Sequence, residues 1–144
     1  MIAVDTNLLV YAHRLDSPFQ QRAAKCIASL AEGRGAWAIP WSCLHEFFSI
    51  STSPRIFIPP TKPAVAVAAI NGWLESPTVQ VLHEAPDHWL TLSGLLKASG
   101  ISGPRVHDAR IAAICIDNGV RELWSADRDF NRFPSLTVRN PLID

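Results

Sequence analysis

Four acidic residues sit where solvated carboxylates are not expected. Asp5 follows the apolar run 1–4, Glu46 lies inside residues 41–48, Asp108 opens the apolar segment 106–113, and Asp127 follows residues 122–126. A carboxylate is costly to bury unless it is paired, protonated or bound to a cation. One such placement is ordinary; four, all at the edges of apolar segments, suggest a metal centre that hydrolyses a phosphodiester. Crowded carboxylates repel one another, and one or two divalent cations relieve that repulsion. Mg²⁺ and Mn²⁺ prefer hard oxygen donors and keep several waters, so few direct protein ligands suffice. Water activated by such a metal is a nucleophile near neutral pH, and a second ion roughly 4 Å away stabilises the leaving oxygen. Asp5 and Asp108 are the expected direct ligands, with Glu46 and Asp127 completing the site through water or a second ion. The hydroxyls of Thr6 and Ser125, beside the acids in sequence, suit hydrogen bonds to a carboxylate or to a metal-held water. Asn7 and Asp129 are auxiliary candidates.

Each acid also has a plainer reading. Asp5 is a favoured N-cap residue ahead of a helix, and Asp108 in a first helical turn suits the macrodipole. Yet Asp108 shares a face with Ile111, Ala112 and Cys115, at i, i+3, i+4 and i+7, and that face is otherwise apolar. Glu46 stands among core-like Leu44, Phe47 and Phe48. Asp127 and Asp129 suit the cap of a short turn; Asp127 follows its strand more closely and is the preferred ligand. Glu32, Glu75, Glu84 and Asp117 fall in surface-like contexts and read as solvation. Competing motifs are incomplete. His45-Glu46 begins like a zincin, but Ser49 occupies the position of the second histidine. His107-Asp108 resembles the pair of HD-type phosphohydrolases, but His13, His45, His83 and His88 show no matching arrangement, and His107 reads as a polar helix-start residue. The chain has neither a glycine-rich phosphate loop nor a Gly-x-Ser-x-Gly elbow.

The elements that must position these acids alternate between short β-like and longer helix-like runs. Ile2-Ala3-Val4 is the expected first strand, followed by a turn at Asp5-Thr6-Asn7 and the apolar residues 8–11. Ser17-Pro18 predicts an N-cap with proline at the first helical position, and Gly33 a stop. Residues 36–39 predict a second strand, and Trp41, Leu44, Phe47 and Phe48 a helix. Residues 53–60 are loop-like, Pro63 starts a helix running to Leu74, and residues 79–82 form a third strand. A helical stripe through Trp89, Leu92, Leu95 and Leu96 ends near Gly100. A loop at 101–104 leads to a helix over 107–118 that stops at Gly119, and residues 123–125 and 136–138 predict the last strands. This alternation predicts an α/β fold, a three-layer α/β/α sandwich whose central sheet is mostly parallel. In such sheets sites form outside the carboxyl ends of the strands, where Asp5 and Asp127 fall.

Composition narrows the function classes. With 48% hydrophobic and 18% charged residues in 144, the chain is globular rather than disordered and is expected to form one domain over residues 1–144. A formal net charge of zero lacks the global basic signature of a duplex-DNA binder, although Arg105, Arg110, Arg121, Arg128 and Arg132 crowd the stretch carrying Asp108 and Asp127. Cys26, Cys43 and Cys115 lack metal-ligand spacing and read as small buried hydrophobes in a reducing compartment. No apolar run approaches the roughly 18 residues of a membrane span, and the first residues lack a basic signal-peptide region, so a cytoplasmic protein without membrane contact is expected.

Asp5-Thr6-Asn7 after a short strand, a mid-chain helical Glu46, the block Val106-His107-Asp108-Ala109-Arg110-Ile111-Ala112-Ala113 and the block Trp124-Ser125-Ala126-Asp127-Arg128-Asp129-Phe130 together resemble the PIN domain. More narrowly, the whole chain resembles VapC-type ribonuclease toxins of bacterial toxin–antitoxin systems. The resemblance implies an Mg²⁺- or Mn²⁺-dependent endoribonuclease with Asp5, Glu46, Asp108 and Asp127 as the acidic site. It also implies a homodimer, a cognate antitoxin whose C-terminal segment covers the site, and structured RNA substrates, tRNA or ribosomal RNA among them. Ser125 stands where threonine is common, with the hydroxyl kept. A single-stranded loop with splayed bases suits a small pocket. Arg14, Arg110, Arg128 and Arg132 are candidates to hold phosphates. Trp41 and Trp89 are candidates for base stacking, though their apolar spacing favours core or dimer contacts. The rival readings are a non-catalytic metal- or RNA-binding module on this fold and a metal-dependent DNA nuclease.

Overall fold

The computed structural model describes residues 1–143. Its strands are β1 (Ile2–Val4), β2 (Trp37–Pro40), β3 (Val79–Leu82), β4 (Glu122–Trp124) and β5 (Val138–Arg139). All neighbours pair in parallel, in the order β3-β2-β1-β4-β5. Ile2 lies opposite both Trp37 and Glu122, which brings the ends of β1 and β4 level. The middle strands read as unbroken apolar runs because both faces are covered: Ala3, Val4, Trp37, Ala38 and Ile39 are fully buried.

Six helices provide that cover: α1 (Thr6–His13), α2 (Gln20–Ala31), α3 (Trp41–Ser51), α4 (Pro63–Leu74), α5 (His88–Ser99) and α6 (Val106–Asp117). The connections β1 to β2 to β3 step one way across the sheet, and the return from β3 to β4 steps the other way. Right-handed crossovers therefore put α1–α4 on one face and α5–α6 on the other. The packing agrees, with α1 against α2 and α3, α3 against α4, and α5 against α6. The result is the expected α/β/α sandwich. Among the described residues no helix is long and apolar enough to cross a membrane.

Local boundaries depart from the sequence pattern for identifiable reasons. Asp5-Thr6-Asn7 is not a turn: Asp5 caps α1, which begins at Thr6. Helix α2 begins at Gln20 rather than at Pro18, because Ser17 closes a turn instead of capping. Its Oγ accepts from the Phe19 N–H (3.1 Å), and its carbonyl accepts from the Gln20 N–H (3.2 Å). Strand β2 runs one residue later than expected and ends on Pro40, where the ladder stops and α3 starts. Strand β5 begins at Val138, because the Leu136 N–H bonds the Phe133 carbonyl in a turn (3.0 Å). Two 3₁₀ turns, Gly103–Arg105 and Arg128–Arg132, occupy stretches with no periodic signal. Gly100 and Gly119 end their helices at φ of 67° and 71°, the left-handed conformation that glycine adopts without strain. Trp41 and Trp89 are 42% and 68% exposed, so neither belongs to the core of this chain.

Candidate metal centre

The order β2-β1-β4 marks the point where the chain changes direction across the sheet, and open α/β sheets place their sites there, outside the carboxyl ends of the strands. Asp5 is the first residue after β1, and its N–H extends the ladder to the Trp124 carbonyl (3.0 Å). That bond sets Asp5 beside Ser125. The Asp5 side chain is buried, and every contact on it is a donor. Oδ1 accepts from the Thr6 N–H (2.8 Å) and faces the Cys43 thiol at 3.7 Å; Oδ2 accepts from Ser125 Oγ (2.7 Å) and Asn7 Nδ2 (3.2 Å). Asn7 Oδ1 in turn accepts from the Ala126 N–H (3.2 Å), and Ser125 Oγ accepts from the Asp127 N–H (3.0 Å). Asn7 and Ser125 thus stitch the start of α1 to the loop after β4, while Thr6 ties it to α3.

The other acids arrive from three further elements. Glu46, on α3, takes a hydrogen bond from Thr6 Oγ1 at Oε2 (3.0 Å). Asp108 lies in the first turn of α6. Asp127 caps the 3₁₀ turn that follows β4, its Oδ1 accepting from the Asp129 N–H (2.8 Å). Asp108, Asp127 and Asp129 each present an oxygen within 4.8 Å of the others. Asp5 and Asp127 are both caps, and Asp127 also stands in the acidic group, which does not include Asp5. Asp129, expected as an auxiliary, joins this group because the tight turn capped by Asp127 brings it there. Arg105 stands 4.0 Å from Asp129 Oδ2 and balances part of the charge.

Burial pushes the Asp5 carboxyl up to about 6; the Ser125 and Thr6 hydrogen bonds oppose the rise, and the nearby charges of Glu46 and Asp108 add to it. Asp108 is likewise raised to about 6, first by burial and then by Asp127, Glu46 and Asp129, with Arg105 opposing. Without a cation, Asp5 and Asp108 therefore keep their protons up to about pH 6, well above the ordinary carboxylate range. A cluster of carboxylate oxygens, free of imidazole and thiolate, fits a hard divalent ion such as Mg²⁺ or Mn²⁺ rather than a soft one. Burial holds the thiol of Cys43 well above its usual range and that of Cys115 up to about 12, so neither supplies a thiolate ligand.

Several other expectations change. Glu84 and Asp117 do more than solvate the surface: Arg110 Nε donates to Glu84 Oε1 (2.6 Å), and Thr91 Oγ1 donates to Asp117 Oδ1 (2.6 Å). Two of the expected phosphate holders are already engaged. Arg110 is paired with Glu84, and Arg14 clamps Asp16 (2.7 Å) and the Pro59 carbonyl (3.0 Å). No local pattern marks the Glu84–Arg110 pair, because it joins residues far apart in sequence.

The family model for the PIN domain matches residues 2–136. The chain is 34% identical over 142 residues to the VapC ribonuclease Mb2897 of Mycobacterium bovis, covering 99% of this chain and 96% of that protein. Its fold is similar to VapBC2 from Rickettsia felis bound to a promoter DNA fragment, with a TM-score of 0.71 at 22% identity over 97% of this chain and 98% of that one. It is also similar to VapC20 of Mycobacterium tuberculosis, a sarcin–ricin-loop-cleaving toxin, with a TM-score of 0.68 at 19% identity over 91% of this chain and 93% of that one.

Proposed function

The chain belongs to the PIN domain family, and on that premise we propose that it is a divalent-metal-dependent endoribonuclease, the toxin of a toxin–antitoxin pair. The observation that carries the proposal is the gathering of Asp108, Asp127 and Asp129 within 4.8 Å, beside the buried Asp5, at the switch point of the sheet. The ribonuclease name of the full-length relative supports RNA as substrate. The VapBC assembly of the structural neighbour supports a cognate antitoxin as partner, and a homodimer follows the family expectation. The sarcin–ricin loop cleaved by VapC20 favours a structured RNA over duplex DNA as the substrate.

Asp5, Asp108, Asp127 and Asp129 would hold Mg²⁺ or Mn²⁺, with Glu46 closing the acidic ring from the α3 side. A bound divalent ion supplies Lewis acidity, lowering the pKa of water and neutralising charge on the phosphodiester. The chain's own residues do the positioning. Thr6, Asn7 and Ser125 fix both oxygens of Asp5, and Thr6 fixes Glu46 with its second donor group, the hydroxyl. The Asp127 cap bond holds that carboxylate and Asp129 in one rigid turn. A constellation held this firmly needs little reorganisation on ligand binding.

Purified protein incubated with structured RNA tests the proposal. Cleavage with Mg²⁺ or Mn²⁺, abolished by EDTA and reduced at least about 100-fold in Asp108→Asn, is the expected result. Equal cleavage by the variant would remove Asp108 from the site. Faster cutting of single-stranded DNA than of RNA of the same sequence would move the protein to the DNA nucleases.

A further inference from the structure

A groove of about 410 Å³ opens from Glu46 between α3 and α6, lined by polar Ser42, His45, Glu46, Ser49, His107 and Arg110 and by apolar Ile50. The polar α3 residues recur at i, i+3, i+4 and i+7 and the α6 residues at i and i+3, so one polar face of each helix borders it. The volume falls in the range of small-molecule sites, roughly 300–1,000 Å³. Ser42 is only 4% exposed, yet among the described residues its Oγ has no hydrogen-bond partner. Buried hydroxyls are ordinarily paired, so this one, on the wall of a groove, is a vacant hydrogen-bonding group. At the mouth, the His45 ring stacks on Trp41 with centroids 6.2 Å apart and planes 28° apart, and Trp41 is 42% exposed. His45 and His107 are both exposed, and each brings ring nitrogens that hydrogen-bond as donor or acceptor.

We infer that this groove binds the base of the nucleotide adjoining the scissile phosphate, with Ser42 and His107 reading the base edge and the His45–Trp41 pair offering a face for stacking. The inference rests on the ribonuclease reading for the identity of the ligand and deepens it by naming where sequence preference is set. Unpaired RNA is recognised in this way, with bases splayed from the strand, stacked on aromatic rings and hydrogen-bonded at their edges. Base stacking on aromatic side chains also supplies attraction that does not depend on phosphate charge, which suits a position next to a carboxylate cluster. Arg110, its guanidinium already paired with Glu84, forms a fixed wall rather than a mobile phosphate clamp.

The test is fluorescence anisotropy of labelled oligo(A), oligo(C) and oligo(U) RNA with the full-length Asp108→Asn chain in EDTA, so that neither metal loading nor cleavage enters. The expected result is a preference of about fivefold or more for one base, reduced to about twofold or less by Ser42→Ala and by His107→Ala. His45→Ala, a change at an exposed position, should weaken binding of all three RNAs by about fivefold. The two histidine variants keep the test readable if Ser42→Ala fails to fold. Equal binding of the three RNAs by the parent chain, or a preference unchanged in the histidine variants, would overturn the inference. Wild-type protein that cuts no RNA with Mg²⁺, while the substitutions still abolish a base preference, would remove the nuclease reading and leave the groove as an RNA-binding site.

Discussion

Replacing Asp5 by asparagine in the metal-free protein should stabilise it at neutral and higher pH and destabilise it at acidic pH. The folded chain holds the Asp5 proton up to about 6, against an ordinary value of 3.8. Folding therefore favours the protonated form. The penalty is nearly absent below pH 4, grows as pH rises from 3.8 towards 6, and is complete above that window. Asp5 is 4% exposed, so solvent screens little of it. The full penalty is about 3 kcal/mol, of which about 2 kcal/mol develops between pH 4.5 and 8. Asparagine removes the charge and keeps a cap acceptor for the Thr6 N–H. It also turns a donor towards Ser125 Oγ and Asn7 Nδ2, forfeiting hydrogen bonds worth about 1 kcal/mol each. The variant should thus be more stable than wild type by about 1 kcal/mol at pH 8 and less stable by about 1 kcal/mol at pH 4.5. Asp108 is raised as well, but first by its own burial, which is the same in both proteins and cancels in the comparison. Urea unfolding in EDTA at the two pH values reads the difference. A stability difference that stays constant across this range would refute the claim that Asp5 is a buried, unwilling anion.

Other substitutions probe the supports of the site. Ser125→Ala removes the donor to Asp5 Oδ2 and the acceptor for the Asp127 N–H; urea unfolding should show a loss of about 1–3 kcal/mol, with Ser125→Thr recovering most of it. Phe47→Ala empties a fully buried position packed edge-on against Trp73 at 4.8 Å, and should cost about 3–5 kcal/mol in the same assay. Gly119→Ala forces a side chain into φ of 71° and should lower stability by about 1 kcal/mol without altering RNA cleavage. Added Mg²⁺ at 100 times its dissociation constant should raise wild-type stability at pH 7.5 by about 2.7 kcal/mol, seen as an upward shift in thermal melting that Asp108→Asn largely loses.

Much of the fold was legible because apolar runs and helical stripes reflect burial directly. Helix α4 and strand β3 lie at the positions their residues predicted, marked by Pro63 at a helix start and by the alternating valines Val79 and Val81 in residues 79–82. What local pattern could not carry was competition between hydrogen-bond partners. Ser17 has the chemistry of a helix cap and of a turn, and only the chain's path past Phe19 selects the turn. The site divides in the same way. Acids among apolar neighbours stand out in a sequence, so Asp5, Glu46, Asp108 and Asp127 were nameable. Asp129 and the clamp made by Asn7 were undervalued, because their roles depend on a 3₁₀ turn and on contacts spanning 118 residues. Trp41 and Phe48 follow the helical period of Leu44, yet both lie on the outer face of α3, seven residues apart, so the core reading fails for each while a dimer contact stays open.

The most direct measurement is anomalous X-ray diffraction from crystals of the protein soaked in Mn²⁺. The arrangement of carboxylates predicts a peak among Asp108, Asp127 and Asp129, on the side facing Asp5, and its loss in crystals of Asp108→Asn. A peak elsewhere, or none at this cluster at saturating Mn²⁺, would contradict the assignment of these acids as the metal centre.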